Sequence, residues 1–248
     1  PEALRTVGTG RSGGVPQHGA PIALGALAAY NVVQNTAFTE RAYVPANLIA
    51  TAGIVALARR AGSTWSDLGF DSGAFRPGLR LGAQVGVGAA AVLSSALAST
   101  STRRLLLDGR AHGLTPAAAM YQVLVRSPVG TALFEEIAFR GVLESLWRSR
   151  SDPETARIIS AVAFGAWHLL PTYRLLPEMG VGSATPQRSE RILAALGGAV
   201  VTGIAGISFS WLRSRRDSIA APWLAHASYN SGAYLAAWLA WRIEHSAS

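Results

Sequence analysis

A few charged and polar side chains lie inside stretches that are otherwise apolar. One stretch reads Leu133-Phe134-Glu135-Glu136-Ile137-Ala138-Phe139-Arg140-Gly141, a second ends Phe164-Gly165-Ala166-Trp167-His168, and a third holds His226-Ala227-Ser228-Tyr229-Asn230. In a helix, Glu136 and Arg140 are one turn apart and share a face, so the guanidinium can keep the carboxylate ionised. Glu135 lies about 100° further round and has no such local partner. Desolvation there favours uptake of a proton, which suits a general base. His226 and Asn230 again share a face. Two chemistries are open to this set. Glu135, His168 and His226 can hold a divalent metal such as zinc through two imidazoles and a carboxylate. Alternatively, Glu135 and His168 activate a water directly, while His226 and Asn230 stabilise an oxyanion. Each residue also has a plainer role: a structural Glu–Arg clamp, a satisfied core histidine, or hydrogen bonding between helices.

The elements that must position these side chains follow from charge and hydropathy. Half of the 248 residues are hydrophobic and 15% are charged, against about a quarter charged in soluble domains. The charges gather between long apolar runs, the layout of a polytopic membrane protein. Runs at about 20–38, 43–58, 79–98, 127–147, 153–170, 192–212 and 218–241 predict an all-α transmembrane bundle of about seven segments. Thr115-Pro116 predicts a short amphipathic helix, and Ser127-Pro128 the start of the fourth segment. Ser151-Asp152-Pro153-Glu154 is a capping-box pattern opening the fifth. Gly82, Gly86 and Gly88 suit close packing of the third. Glu144 reads as interfacial, and 171–190 reads as a loop. Residues 1–18 read as a flexible polar segment with no cleavable signal, and 19–244 as a single membrane domain.

The net charge is +8, and every basic residue is arginine. The arginines flank apolar runs instead of forming one stripe, so the expected partner is a lipid bilayer with anionic headgroups, and nucleic acid is not. Arginine counts place 59–60, 76–80, 148–157 and 213–216 on one, cytoplasmic, side. Composition points to a bacterial cell membrane. No cysteine is present, which excludes disulfides and thiolate metal sites.

The three stretches resemble the motifs of the CAAX-protease and bacteriocin-processing family, known as CPBP or Abi: Glu-Glu-x-x-x-Arg, Phe-x-x-x-His and His-x-x-x-Asn, in that order and each on a helix. The resemblance covers a core of about 127–241, and Asp67-Leu68-Gly69-Phe70 is similar to a frequent upstream family feature. It implies an intramembrane endopeptidase acting on a membrane-associated protein or peptide. By position, Glu135 becomes the base that activates water, and Glu136 and Arg140 shape the site. His168 assists the water or binds metal, and His226 and Asn230 hold the oxyanion or metal. The family is named for metalloproteases, yet a metal-free glutamate mechanism is also argued, and both stay open here.

Other protease classes fit poorly, since the chain lacks His-Glu-x-x-His, Gly-x-Gly-Asp and a membrane Gly-x-Ser-Gly. Gly8-Thr9-Gly10-Arg11-Ser12-Gly13 has dinucleotide-binding spacing but follows no strand. The alternatives from other classes are a non-catalytic membrane scaffold or bacteriocin self-immunity protein that keeps the fold, and a proton-coupled transporter.

Overall fold

A computed structural model describes residues 18–179 and 186–246. The expected flexible segment lies almost wholly outside them, as does part of the 171–190 loop. Among the described residues the chain is all-helical apart from turns and a single antiparallel bridge, Phe70 to Ser218. The principal helices are α1 (Gly19–Ala37), α2 (Glu40–Arg60), α3 (Ser72–Ala98), α4 (116–148), α5 (Pro153–Trp167), α6 (Leu169–Met179), α7 (Arg188–Arg216) and α8 (Ala220–Ser246).

Local chemistry sets the ends. Asp71 accepts from the Gly73 and Ala74 amides, Thr115 from Ala118, and Asp152 from Glu154 and Thr155, so three helices start on side-chain caps. Gln187 and Glu190 form a reciprocal capping box on α7. Asp217 ends α7 in the left-handed region, at φ 45°, a position an Asp side chain tolerates better than most.

Two expectations change here. Thr115-Pro116 and Ser127-Pro128 do not open separate helices, because α4 is continuous from 116 to 148. Its turns are of the wide π type over Gln122–Leu133 and Glu136–Leu143. Pro128 brings no N–H to an α-helical ladder, and it falls inside the first wide stretch, where the ladder is already offset. Such stretches cluster at functional sites. Part of the 171–190 segment is likewise helix α6.

Helix packing follows the small residues. Gly78, Gly82 and Gly86, spaced four apart on α3, meet Ser218, Ala221 and Ser228 of α8 or the turn before it. A Cβ at Gly86 would come within 2.5 Å of the Ser228 hydroxyl. Gly88, grouped with them in the sequence, faces open space, and Gly78 takes its place. Gly165 of α5 gives the same closeness to the Ala199 carbonyl on α7.

Outward faces of α2, α3, α5 and α7 expose large apolar side chains such as Ile49, Val87, Val162, Leu193 and Val201. Among the described residues three helices, α2, α3 and α7, are long and apolar enough to cross a membrane. The expected seven is therefore not reached by length and composition alone. Helix α5 has 15 residues, α1 carries Asn31, Gln34 and Asn35, and α4 carries the glutamates.

Segment 63–70 ties one end of the bundle together. Ser63 and Ser145 hydroxyls meet at 3.0 Å, the Ile219 amide donates to the Gly69 carbonyl at 3.0 Å, and Arg213 Nη2 donates to the Asp67 carbonyl. Gly69 sits at φ +82°, with the Ile219 nitrogen 2.9 Å from where a Cβ would stand, so a side chain there is excluded twice over. These contacts bring the C-terminal ends of α2, α4 and α7, with their arginines, to one end of the bundle.

Candidate active site

Helix α4 supplies the carboxylates. Glu136 and Arg140 are both fully buried and paired at 3.2 Å. Leaving a lone charge there would cost several kcal/mol, so the pair enters together. The Arg140 guanidinium lies 3.9 Å from the Phe164 ring centre and 5.2 Å from that of Phe209. Its Nε and Nη2 find no hydrogen-bond partner among the described residues, and these aromatic faces take that role. Gly206 of α7 makes the space, since a Cβ there would lie 3.0 Å from Arg140 Nη2.

Glu136 Oε1 also meets His226 Nδ1 at 2.7 Å. With Glu136 ionised, as its pairing requires, Nδ1–H is the donor, and Nε2 turns the other way. That nitrogen lies 3.8 Å from Glu135 Oε2. His168, the C-cap of α5, is fixed in the same sense. Its Nδ1 lies 2.8 Å from the Phe164 carbonyl. A carbonyl only accepts, so Nδ1 carries the proton and Nε2 points away, 4.0 Å from Glu135 Oε2. Both imidazoles thus turn Nε2 towards one carboxylate oxygen. That oxygen is buried and has no hydrogen-bond partner among the described residues.

The other oxygen of Glu135 is held. Trp167 Nε1 donates to Oε1 at 3.1 Å. The indole is wedged between Phe134 and Phe139, with ring centres 5.6 and 5.7 Å away. Asn31 of α1 donates to the Trp167 carbonyl at 3.0 Å. The motif reading missed Trp167. Its one signal is a hydrogen-bonding aromatic next to His168 on an apolar helix, where the indole N–H needs an acceptor.

Glu135, Glu136, Arg140, His168 and His226 therefore converge. Asn230 stands one turn beyond His226 on α8, half-buried, and makes no side-chain hydrogen bond to another described residue. Glu144, expected at an interface, is instead fully buried. It pairs with Arg148 at 2.6 Å and with Arg213 at 3.7 Å, because the 63–70 segment and α7 close over that end of α4.

The donor set has the chemistry a divalent metal needs: two imidazole nitrogens with their other N–H anchored, and a carboxylate. Its spacing is wider than a metal's ligands keep. Donors about 2.05 Å from a tetrahedral zinc lie roughly 3.3 Å apart. Among the described residues no group of three His, Cys, Asp or Glu is arranged to hold an ion. The separations of 3.8 and 4.0 Å are also longer than a direct hydrogen bond.

Residues 117–232 match the family profile described as Rce1-like, type II CAAX prenyl endopeptidase. This stretch, from the start of α4 into α8, contains all three motifs, and over it the chain is similar to the CAAX-protease family. The family is one of membrane-associated hydrolases of the CAAX-protease type. No curated protein and no solved structure matches the chain.

Proposed function

We propose that the protein is an intramembrane endopeptidase that hydrolyses a peptide bond of a membrane-associated protein or peptide, with Glu135 as the base. The observation that carries this reading is the buried, unpartnered Glu135 Oε2 facing Nε2 of both His168 and His226. A water between these groups gives one proton to Glu135 and hydrogen-bonds to the free Nε2 of His168. Its oxygen attacks the scissile carbonyl carbon as the proton passes to Glu135. The oxyanion that forms is stabilised by the Asn230 amide. When protonated, His226 adds its Nε2–H while Nδ1–H stays on Glu136. Collapse of the tetrahedral intermediate breaks the C–N bond, and Glu135 returns the proton to the leaving nitrogen. Trp167 keeps Glu135 Oε1 occupied, so Oε2 is the oxygen that acts. If a divalent metal is bound, Glu135, His168 and His226 would hold it, and it would supply Lewis acidity to the water.

The setting is a multi-pass protein of a bacterial cell membrane, with the arginine-rich end of the bundle in the cytoplasm. Glu135→Gln is the test. General base catalysis contributes about 10²–10⁴-fold, so cleavage of a reporter peptide in a bilayer should fall by that factor while insertion and thermal stability are kept. Unchanged biological activity in this variant would favour a non-catalytic scaffold or immunity protein instead. Metal content of the purified chain, with cleavage measured before and after chelation, separates the two forms of the mechanism.

A further inference from the structure

The described surface carries an apolar groove of about 480 Å³ that no glutamate lines. One wall is a stripe of α2, including Leu48, Thr51, Val55 and, at its end, Arg59. The other is Trp65, Phe70 and Ile137. The α2 residues recur at intervals of three and four, so they form one helix face. From Leu48 to Arg59 the stripe runs about 16 Å, close to the roughly 15 Å depth of one leaflet's hydrocarbon. Its volume is in the range of ligand sites.

The head of the groove is charged. Arg59 is exposed, donates one N–H to the Ser63 carbonyl and sits 4.9 Å from the centre of the half-exposed Trp65 ring. No carboxylate among the described residues pairs with it. The acids of the adjoining segment are engaged elsewhere: Asp67 accepts from Thr64, and Asp71 caps α3. Arg60 beside it is exposed as well. An aliphatic channel one leaflet deep, closed by a fixed cation and an interfacial tryptophan, has the chemistry of a phospholipid with a negative headgroup.

We infer that this groove is a binding site for one anionic phospholipid, with its phosphate on Arg59 and an acyl chain lying along α2 towards Ile137. A neutral zwitterionic lipid would fill the channel equally well but would not gain from Arg59 in the same way. The lipid is thus selected at its head and seated by its chain. Ile137 lines the groove and adjoins Glu136 in sequence, so the groove borders the helix that carries the carboxylates.

The test uses the full chain in nanodiscs of phosphatidylcholine, with either brominated phosphatidylglycerol or brominated phosphatidylcholine added in equal amount. Bromine on the acyl chain quenches a nearby indole, and subtracting the emission of Trp65→Phe isolates Trp65. The expected result is stronger quenching by the glycerol lipid. That preference should fall about fivefold in Arg59→Gln, the factor for about 1 kcal/mol per basic residue at an anionic surface, and should survive in Arg59→Lys. Ala52→Leu, which narrows the groove from an exposed position, should weaken quenching by both lipids. Equal quenching by the two headgroups, or a preference unchanged in Arg59→Gln, overturns the site. So does quenching unaffected by Ala52→Leu.

Discussion

Removing Arg140 while leaving Glu136 should cost more stability than removing both charges. The two side chains are fully buried and 3.2 Å apart. At an effective dielectric of about 20, two unit charges at that distance attract by about 5 kcal/mol. Breaking a buried pair by removing one partner costs about 3–5 kcal/mol, whereas replacing both with neutral groups of similar size is often near neutral. Arg140→Met keeps a long apolar chain between Phe164 and Phe209 but strands the Glu136 carboxylate on His226 alone. Glu136→Gln with Arg140→Met removes both charges, and the side-chain amide carbonyl of the new glutamine can still accept from His226 Nδ1–H. For a chain of this size, about 3–5 kcal/mol corresponds to roughly 6–20 °C in unfolding temperature. The assay is thermal unfolding of the wild type, both single variants and the double variant in one bilayer mimetic. Arg140→Met should show the large drop, and the double variant should recover most of it. A double variant no more stable than Arg140→Met would refute the charge-compensation argument. Arg140 would then be held by its aromatic cage and packing against Gly206.

Trp167→Phe should lower kcat/KM by about 10–100-fold and lower stability by about the worth of the hydrogen bond it removes. It deletes a hydrogen bond to a carboxylate, about 1.5–3 kcal/mol, yet keeps a ring against Phe134 and Phe139. An unchanged kcat/KM would mean that Trp167 does not orient Glu135. Asp67→Asn should flatten the acid side of the stability profile. Burial alone would raise the Asp67 pKa, but hydrogen bonds from Thr64 and the nearby Arg213 outweigh it and hold it below the ordinary 3.8. A depressed carboxylate stabilises the folded state above its ordinary pKa and loses that contribution as pH falls through the folded value. The wild type should therefore lose stability below about pH 3.8 more steeply than the variant. Parallel profiles would remove Asp67 from the account.

What the sequence makes legible is what a helix encodes locally. Spacing of one turn pairs Glu136 with Arg140 and places His226 with Asn230, and Asp71, Thr115 and Asp152 mark helix starts through bonds to amides two or three residues on. The partnership of Trp167 with Glu135 spans 32 positions, and that of Asn31 with Trp167 spans 136. No local period encodes either. Pro128 misleads because the rule for reading proline as a helix start assumes an α-helical ladder, and α4 is wide-turned there.

Glu144 shows why local pattern alone cannot pick out which Glu–Arg pair belongs to the candidate site. Helix α4 carries the same arrangement twice, Glu136 with Arg140 and Glu144 with Arg148, eight residues apart and each pair one turn long. Both glutamates are fully buried. The difference lies in the third partner, which comes from another helix. Glu144 receives Arg213, a second permanent cation that also holds the Asp67 carbonyl, so its charge is spent on closing the end of the bundle. Glu136 receives His226, whose far nitrogen remains available and is aimed at Glu135. One carboxylate is thereby locked between two arginines. The other orients an imidazole towards a neighbouring carboxylate that has a free oxygen, which is the arrangement proton transfer needs.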